Sequence, residues 1–391
     1  MRLFLFLLLS LPVTYLALAA VYQLVLALAS KRYRSPKLGA KSAGRTLILV
    51  PAYREDAVIL ASTEANLKRM PQDGSYDYLV VADKLMPETT QKLRDLGAEV
   101  LEVNFEKSTK VKSLKAAMEF KAGRMDYWHV VILDADNQLD ENFIPVALQY
   151  RALGYRVLQG ERLAANSLNG MEILDGLSEK ANQEMLCKGA NQLGFSSKLT
   201  GSAMVLDYDL FQLILQLLRA IGGFDKEMEL LLTAMGESIQ YAPELRVWDE
   251  KVSSNQAFAK QRGRWLESQY TFLKKSIRSA TRGLFRGNSD YFHKSIQLAL
   301  PPRVLAPVAL LFFATLASLL GFTGLVWFSS LALVALIGSY LLVLPSTLWK
   351  ADLGKILLAL PGLVGSAFQA LSWMKRSKKE FLHTSHSLQK L

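Results

Sequence analysis

Apolar residues crowd the two ends of this chain, and that asymmetry limits what it can fold into more than any other feature. Leu3–Ala29 is almost wholly apolar, long enough to cross a hydrocarbon layer of roughly 30 Å as a helix. Further apolar stretches come late, at Val304–Phe322, Leu325–Leu344 and Ile356–Trp373. Between the two regions lie about 270 residues of ordinary soluble composition, enough for a sizeable core. The expected organisation is a soluble domain carried by membrane segments at both ends.

The 391 residues carry a net charge of +11. Its placement matters more than its size. Lys31, Arg32, Arg34, Lys37, Lys41 and Arg45 follow the first apolar segment, and Lys375, Arg376, Lys378 and Lys379 follow the last. Basic residues at the ends of membrane segments mark the cytosolic side and meet anionic headgroups. No nucleic-acid-binding motif accompanies them, so nucleic acid is not an expected partner. The first segment is too long for a signal-peptide core and its positive charge lies after it, so it reads as an uncleaved anchor. The two stretches from Val304 form a helical hairpin closed by Pro345. A third full crossing would put the basic tail outside, so Ile356–Trp373, with Pro361 and Gly362 near its middle, is expected to be re-entrant or interfacial. No charged residue interrupts these spans, which argues against a transporter. One cysteine, Cys187, and four histidines exclude a disulfide framework and disfavour zinc.

The central region alternates strand and helix. Thr46–Val50, Tyr78–Val81, Glu99–Val103, His129–Leu133 and Arg156–Gln159 are short runs rich in Val, Leu and Ile, suited to strands buried on both faces. Helical patterns separate them at Ala57–Arg69, Glu88–Leu96, Ser108–Phe120 and Phe143–Leu153, the second and fourth stopped by Gly97 and Gly154. Such repeated units imply an α/β fold with a mostly parallel sheet and helices on both faces. Ligands then bind beyond the carboxyl ends of the strands.

Three polar clusters fall at that edge: Pro51-Ala52-Tyr53-Arg54-Glu55, Asp83, and Asp134-Ala135-Asp136. Each alone could be a helix cap. Together they have a use, since two carboxylates leaving one strand end can hold a divalent ion and a donor ribose.

The set Asp83, Asp134-Ala135-Asp136 and Gln261-Arg262-Gly263-Arg264-Trp265 resembles the membrane-bound inverting family 2 glycosyltransferases, the branch that includes cellulose and hyaluronan synthases and ceramide glucosyltransferase. The resemblance covers roughly Arg45 to Gln269 and implies a GT-A-like, Rossmann-type catalytic domain. It implies a donor site made by Pro51, Tyr53, Glu55, Asp83, Lys112, Asp134, Gln261 and Arg264. It implies a Mg²⁺ or Mn²⁺ site at Asp134 and Asp136, and an acceptor site at Thr200, Gly201, Ser202 and Trp265. Lys112 matches a lysine that normally follows glycine, where this chain has Val111.

The catalytic base departs from the family pattern, which has Glu-Asp before an apolar helix. Here the chain reads Gly222-Gly223-Phe224-Asp225-Lys226-Glu227-Met228-Glu229-Leu230. Alignment on Met-Glu-Leu puts Glu227 at the base position, with Asp225 as the competitor. A carboxylate serves in either case.

Gln261, Arg264 and Trp265 share a helical face, where arginine can pair with diphosphate and tryptophan can stack on a sugar. Tyr270–Arg286 alternates apolar and basic residues at helical spacing, as an interfacial helix does. The expected domains are an anchor at 1–30, a cytosolic catalytic domain at 31–269, an amphipathic segment at 270–303, membrane segments at 304–374 (hairpin 304–344, third stretch 356–373) and a basic tail at 375–391. The expected activity is hexosyl transfer with inversion, from a nucleotide sugar of the UDP type to a lipid or glycan acceptor at the plasma or inner membrane. A processive polysaccharide synthase and a non-catalytic nucleotide-sugar-binding regulator are the alternatives.

Overall fold

The computed structural model describes residues 1–39, 44–123, 126–345 and 353–377, with 375–377 by backbone only. Lys41, Lys378 and Lys379 of the basic clusters lie outside the described residues. In chain order the elements begin with α1 (Arg2–Ser30), β1 (Arg45–Tyr53), α2 (Ile59–Arg69), β2 (Tyr76–Asp83), α3 (Pro87–Asp95), β3 (Glu99–Val103), α4 (Lys110–Phe120), β4 (Tyr127–Ile132), β5 (Gln138–Leu139), α5 (Phe143–Ala152) and β6 (Val157–Ala164). Then come α6 (Gly170–Asn182), which runs through a π-helical turn (Gln183–Gly189) into α7 (Ala190–Gln192), β7 (Met204–Asp207), α8 (Tyr208–Leu217), α9 (Phe224–Ala234) and β8 (Gln240–Asp249). The chain closes with α10 (Asn255–Leu284), α11 (Ser289–Gln297), α12 (Leu305–Leu319), α13 (Thr323–Val343) and α14 (Leu353–Ser377).

The strands form one sheet in the order β3-β2-β1-β4-β7-β6-β8-β5. β3, β2, β1 and β4 are parallel, β7 runs antiparallel to β4 and β6, and β6 pairs parallel with β8. Alternate residues of β1 serve opposite layers. Leu47 and Leu49 pack with Leu114, Phe211 and Met228 on one face, while Ile48 and Val50 pack with Ile59, Phe143 and Ala147 on the other. Burial on both faces is why these strands read as unbroken apolar runs. β7 inverts the chain beside β4, with Met204 opposite Ile132. The start of β7 therefore lies at the same edge as the end of β4.

Three helices among the described residues are long and apolar enough to cross a membrane: α1, α13 and Leu353–Met374 of α14. α1, α12 and α13 pack together through Leu16, Ala20, Ala306, Leu310, Ala332 and Leu336. α1 also docks on the domain, with Tyr22 Oη 2.8 Å from His293 Nε2, and His293 stacks on Phe195 at 4.0 Å. α14 behaves differently. It is one helix through Pro361 and lies along α10, where a Cβ on Gly263 would fall 2.5 Å from Trp373 Cβ and 2.9 Å from the Ala370 carbonyl. Glycine at 263 lets the two helices touch backbone to backbone. The amphipathic stretch expected from Tyr270 is the second half of α10, not a separate element.

Candidate active site

Each polar cluster arrives at the carboxyl edge on its own strand. Tyr53 and Asp83 are partners in the β1–β2 register, and Pro51 pairs with Val81 two residues earlier. The Arg54 amide donates to the Asp83 carbonyl at 3.1 Å. Asp83 is 1% exposed, and neither carboxylate oxygen has a hydrogen-bond partner among the described residues. A buried acceptor pair left so is costly unless a ligand supplies the donors. The guanidinium of Arg54 and the ammonium of Lys84 stand 5.3 and 5.7 Å from the Tyr53 ring centre. The Glu55 carbonyl accepts the amides of Val58 and Ile59 at the start of α2.

Among the described residues, three other than glycine hold positive φ: Arg54 at 56°, Lys84 at 57° and Ala203 at 52°. All three sit at this edge, where β1 and β2 end and β7 begins. Backbone strain gathers where the surrounding structure uses it.

The Asp134–Asp136 loop is pinned from several sides. The Asp134 amide donates to Asn137 Oδ1 at 3.0 Å, and Asn137 Nδ2 donates to Asp136 Oδ1 at 3.1 Å. The Glu250 amide, just past β8, donates to Asp136 Oδ2 at 3.1 Å. Ser62 Oγ donates to the Ala135 carbonyl. Among the described residues no group of three His, Cys, Asp or Glu side chains is placed so that it could hold a metal ion by itself. Two carboxylates fit a hard ion that takes its other ligands from diphosphate and water, as Mg²⁺ does.

The lysine at this loop is Lys110, which the sequence reading missed. Its Nζ lies 2.5 Å from Asp134 Oδ1 and 2.8 Å from the Gly201 carbonyl. Lys112 is not brought to the site. It is 200° further round α4, exposed, and donates to the Lys107 carbonyl at 2.8 Å. Thr109 caps α4 by accepting the Lys112 amide, so Lys110 is the first helical residue and leans towards the sheet edge.

Thr200, Gly201 and Ser202 do come together beside Asp134. Gly201 has φ of +88°, a conformation that suits glycine. Gln159 of β6 clamps the loop, accepting the Thr200 amide at 2.9 Å and donating to the Ser202 carbonyl at 3.0 Å. Arg162 donates to the Thr200 carbonyl at 3.1 Å and pairs with Asp249 and Glu179. Burial opposes the Arg162 charge, but Asp249, Glu179 and Asp134 outweigh it and hold its pKa well above the usual value. The buried Ser202 Oγ has no partner among the described residues.

The two candidate bases part company. Glu227, favoured by alignment, has its Oε2 occupied by the backbone amides of Arg219 (2.8 Å) and Ala220 (2.7 Å), where it ties down the loop before α9. Asp225 lies against Gly201, whose added Cβ would be 4.0 Å from Asp225 Cβ, and its Oδ2 is 3.3 Å from Lys226 Nζ. The N-cap position of α9 is Gly223, and Asp225 stands inside the helix.

From α10, Arg264 comes within electrostatic reach of Asp134. Burial pulls the pKa of its guanidinium down, and the Asp134 charge pushes back. Gln261 Oε1 is buried without a partner among the described residues. Trp265 is 39% exposed, with the Arg262 guanidinium 4.2 Å from its ring centre. Arg262 is itself paired with Asp175.

A family model described as glycosyltransferase like family 2 matches residues 43–268, more than half of the chain. The chain belongs to that family. No curated protein matches it significantly. Among solved structures it is similar to mannosyltransferase PcManGT from Pyrobaculum calidifontis, determined in complex with GDP-Man and Mn²⁺. The TM-score is 0.56 at 15% identity, covering 95% of this chain and 99% of that one. Glucosyl-3-phosphoglycerate synthase from Mycobacterium tuberculosis, in complex with Mn²⁺, UDP-Glc and phosphoglyceric acid, matches with a TM-score of 0.39 at 16% identity, over 62% of this chain and 80% of that one. The first likeness shows the fold of this family 2 chain: a GT-A-like α/β domain with a mostly parallel mixed sheet and apolar helices at both ends.

Proposed function

We propose that this glycosyltransferase transfers a sugar, with inversion, from a nucleotide-sugar donor to an acceptor presented at a membrane. The observation that carries the reading is the buried Asp83 carboxylate, unsatisfied among the described residues, level with Tyr53 and separated from the Asp134 strand end by β1 alone. An ionised carboxylate only accepts hydrogen bonds. It suits a base with a ring N–H, such as uracil or guanine, whose flat face can lie on Tyr53. The diphosphate then falls between Asp134, Lys110 and Arg264, and the sugar above Gly201.

In this reading the acceptor hydroxyl oxygen attacks the anomeric carbon as the bond from that carbon to the diphosphate oxygen breaks. Asp225 takes the hydroxyl proton. Lys110 and Arg264 meet the charge that grows on the leaving diphosphate. Asp134 and Asp136 would hold a Mg²⁺ or Mn²⁺ ion, which supplies charge neutralisation of the diphosphate when bound. Trp265 covers the acceptor side. α1, α12 and α13 would anchor the domain, with α14 lying along α10 at the membrane surface.

The test is release of nucleoside diphosphate by the detergent-purified protein, offered UDP-, GDP-, CDP- and ADP-sugars with Mn²⁺ or Mg²⁺, with and without membrane lipid extract. Release from a UDP- or GDP-sugar, dependent on metal and raised by lipid, is the expected result. Release from none of them, or from CDP- and ADP-sugars equally, overturns the reading.

A further inference from the structure

Beneath the Thr200–Ser202 loop, on the side towards the membrane helices, charge is out of balance. Lys198 stands directly before the loop, its amide fixed to the Leu186 carbonyl of the π-helical turn at 3.1 Å. It feels Lys226 and Arg303 as like charges and Glu229 and Asp225 as opposite ones. Lys294, buried on α11, is the fourth cation. Both carboxylates are already engaged. Glu229 Oε1 accepts the Leu199 amide at 2.5 Å and lies 3.8 Å from Lys294 Nζ, and Asp225 is 3.3 Å from Lys226. Four cations against two carboxylates leave two positive charges over. Among the described residues no carboxylate comes within 4.0 Å of the Lys198 or Arg303 side chain, and Arg303 donates only to a neutral carbonyl, that of Ser178, at 3.0 Å.

Lys198 and Arg303 are both half-buried, and unmatched charge drawn partly out of water has a cost. Burial, with Lys226 beside it, pulls the Lys198 ammonium down to about 8. A cation held that way is stabilised by an arriving anion. The two unmatched groups are within electrostatic reach of each other. Lys198 adjoins the loop expected under the acceptor, and Arg303 stands two residues before α12, within electrostatic reach of Tyr340 on α13.

We propose that the acceptor of this enzyme carries a phosphate group, held between Lys198 and Arg303. The inference rests on the glycosyl-transfer reading above and narrows its acceptor. A phosphate monoester brings roughly 1.5 to 2 negative charges near neutral pH, which matches two unmatched cations where a carboxylate would match one. Its three oxygens accept from ammonium and guanidinium together. A neutral sugar or alcohol would leave both charges as they are. The same chemistry could come on a lipid or on a soluble ester, and the position of Arg303 favours the lipid.

The test is binding to the full-length protein in neutral detergent, by titration calorimetry, of dodecyl phosphate, dodecanol and glycerol 3-phosphate. UDP affinity is measured alongside. Dodecyl phosphate is expected to bind, dodecanol not to bind, and glycerol 3-phosphate to bind at least tenfold more weakly. Lys198→Met and Arg303→Met should each weaken dodecyl phosphate binding by tenfold or more without changing UDP affinity, and Lys198→Arg should restore it. Equal binding of dodecanol, or dodecyl phosphate affinity unmoved in both Met variants, overturns the proposal. Glycerol 3-phosphate binding as tightly as dodecyl phosphate assigns the site to a soluble ester and overturns its lipid source. If no sugar is ever transferred but dodecyl phosphate binding still needs Lys198 and Arg303, the activity reading fails and the anion site stands. If transfer proceeds to a neutral acceptor at the same KM in the Met variants, the reverse holds.

Discussion

The ammonium of Lys110 lies 2.5 Å from Oδ1 of Asp134 and bridges it to the Gly201 carbonyl, 2.8 Å away. One side chain thus ties the acidic strand end to the loop across the cleft. Lys110→Met removes a charged hydrogen bond from the donor side, a loss of about 1.5–3 kcal/mol, or roughly 10- to 100-fold in kcat/KM. Lys112→Met, on the exposed side of α4, should leave kcat/KM within about twofold. Steady-state kinetics on both variants decides between them, and the opposite ranking would restore Lys112 as the donor lysine.

Asp83 is expected to select the base. Asp83→Ala should weaken UDP and GDP by about 1.5–3 kcal/mol, the worth of hydrogen bonds to a charged group. CDP and ADP present a ring acceptor at the equivalent position and should bind poorly to the parent. Calorimetric titration of the four diphosphates gives the answer. CDP binding as tightly as UDP would remove Asp83 from the base site.

The two α9 carboxylates separate by which property they change. Asp225→Asn should lower kcat by roughly 10²- to 10⁴-fold, the usual worth of a general base, and leave UDP affinity alone. Glu227→Gln keeps one acceptor for the Arg219 and Ala220 amides but loses its charge, so about 1 kcal/mol of stability should go while kcat of the folded fraction stays. A Glu227→Gln variant that is folded but inactive, beside an active Asp225→Asn, would reverse the assignment.

How much of this was legible in the sequence depended on whether a residue's role was local. The five expected strands all form, because burial on both faces writes an apolar run into the chain itself. β7 and β8 were not legible. β7 is four residues long and starts straight after Ala203 in the left-handed region, and β8 carries Pro243, Glu244 and Arg246 within its span. The sheet edge was readable because three acidic clusters each ended an apolar run. Lys110 was not, since choosing it over Lys112 needs the helix start, which the Thr109 cap sets. Arg162 and Gln159 hold the Thr200–Ser202 loop from a neighbouring strand, a relationship that exists only after pairing. The engagement of Glu227 was not legible either, because nothing in its own stretch of sequence reveals the amides of Arg219 and Ala220 turned towards it.

Gly263 sits between Gln261 and Arg264 and lets α14 press on α10. In Gly263→Ala the new Cβ meets backbone and the Trp373 Cβ, not the far end of a flexible chain, so α14 must move. Overpacking of this kind costs about 1–3 kcal/mol. Gly365, in α14 itself, has nothing within 4 Å of an added Cβ. There Gly→Ala should stabilise the helix by about 0.4–1 kcal/mol. Thermal unfolding in detergent should therefore shift down for the first variant and up for the second. Shifts of the same sign would mean that α14 is not seated on Gly263.

Stability should fall on mild acidification, with His129 as one cause. The ring is fully buried on β4, with Nε2 3.0 Å from Thr46 Oγ1. Burial, helped by the Arg151 charge and opposed by Asp207, lowers its pKa to about 3, against about 6.5 in an unfolded chain. Between those values the unfolded state binds a proton that the folded state refuses. Stability therefore drops as pH falls below about 6.5, by at most about 1.4 kcal/mol per pH unit for this group, and the group contributes no pH dependence above about 7. His293 on α11 is lowered to about 3 as well, mainly by burial, so it adds to the same slope. His129→Leu should start from a different midpoint but lose less of it between pH 6.5 and 5 than the parent does, leaving the His293 part of the slope. Parallel curves for parent and variant across that window would show that His129 is protonated in the folded protein.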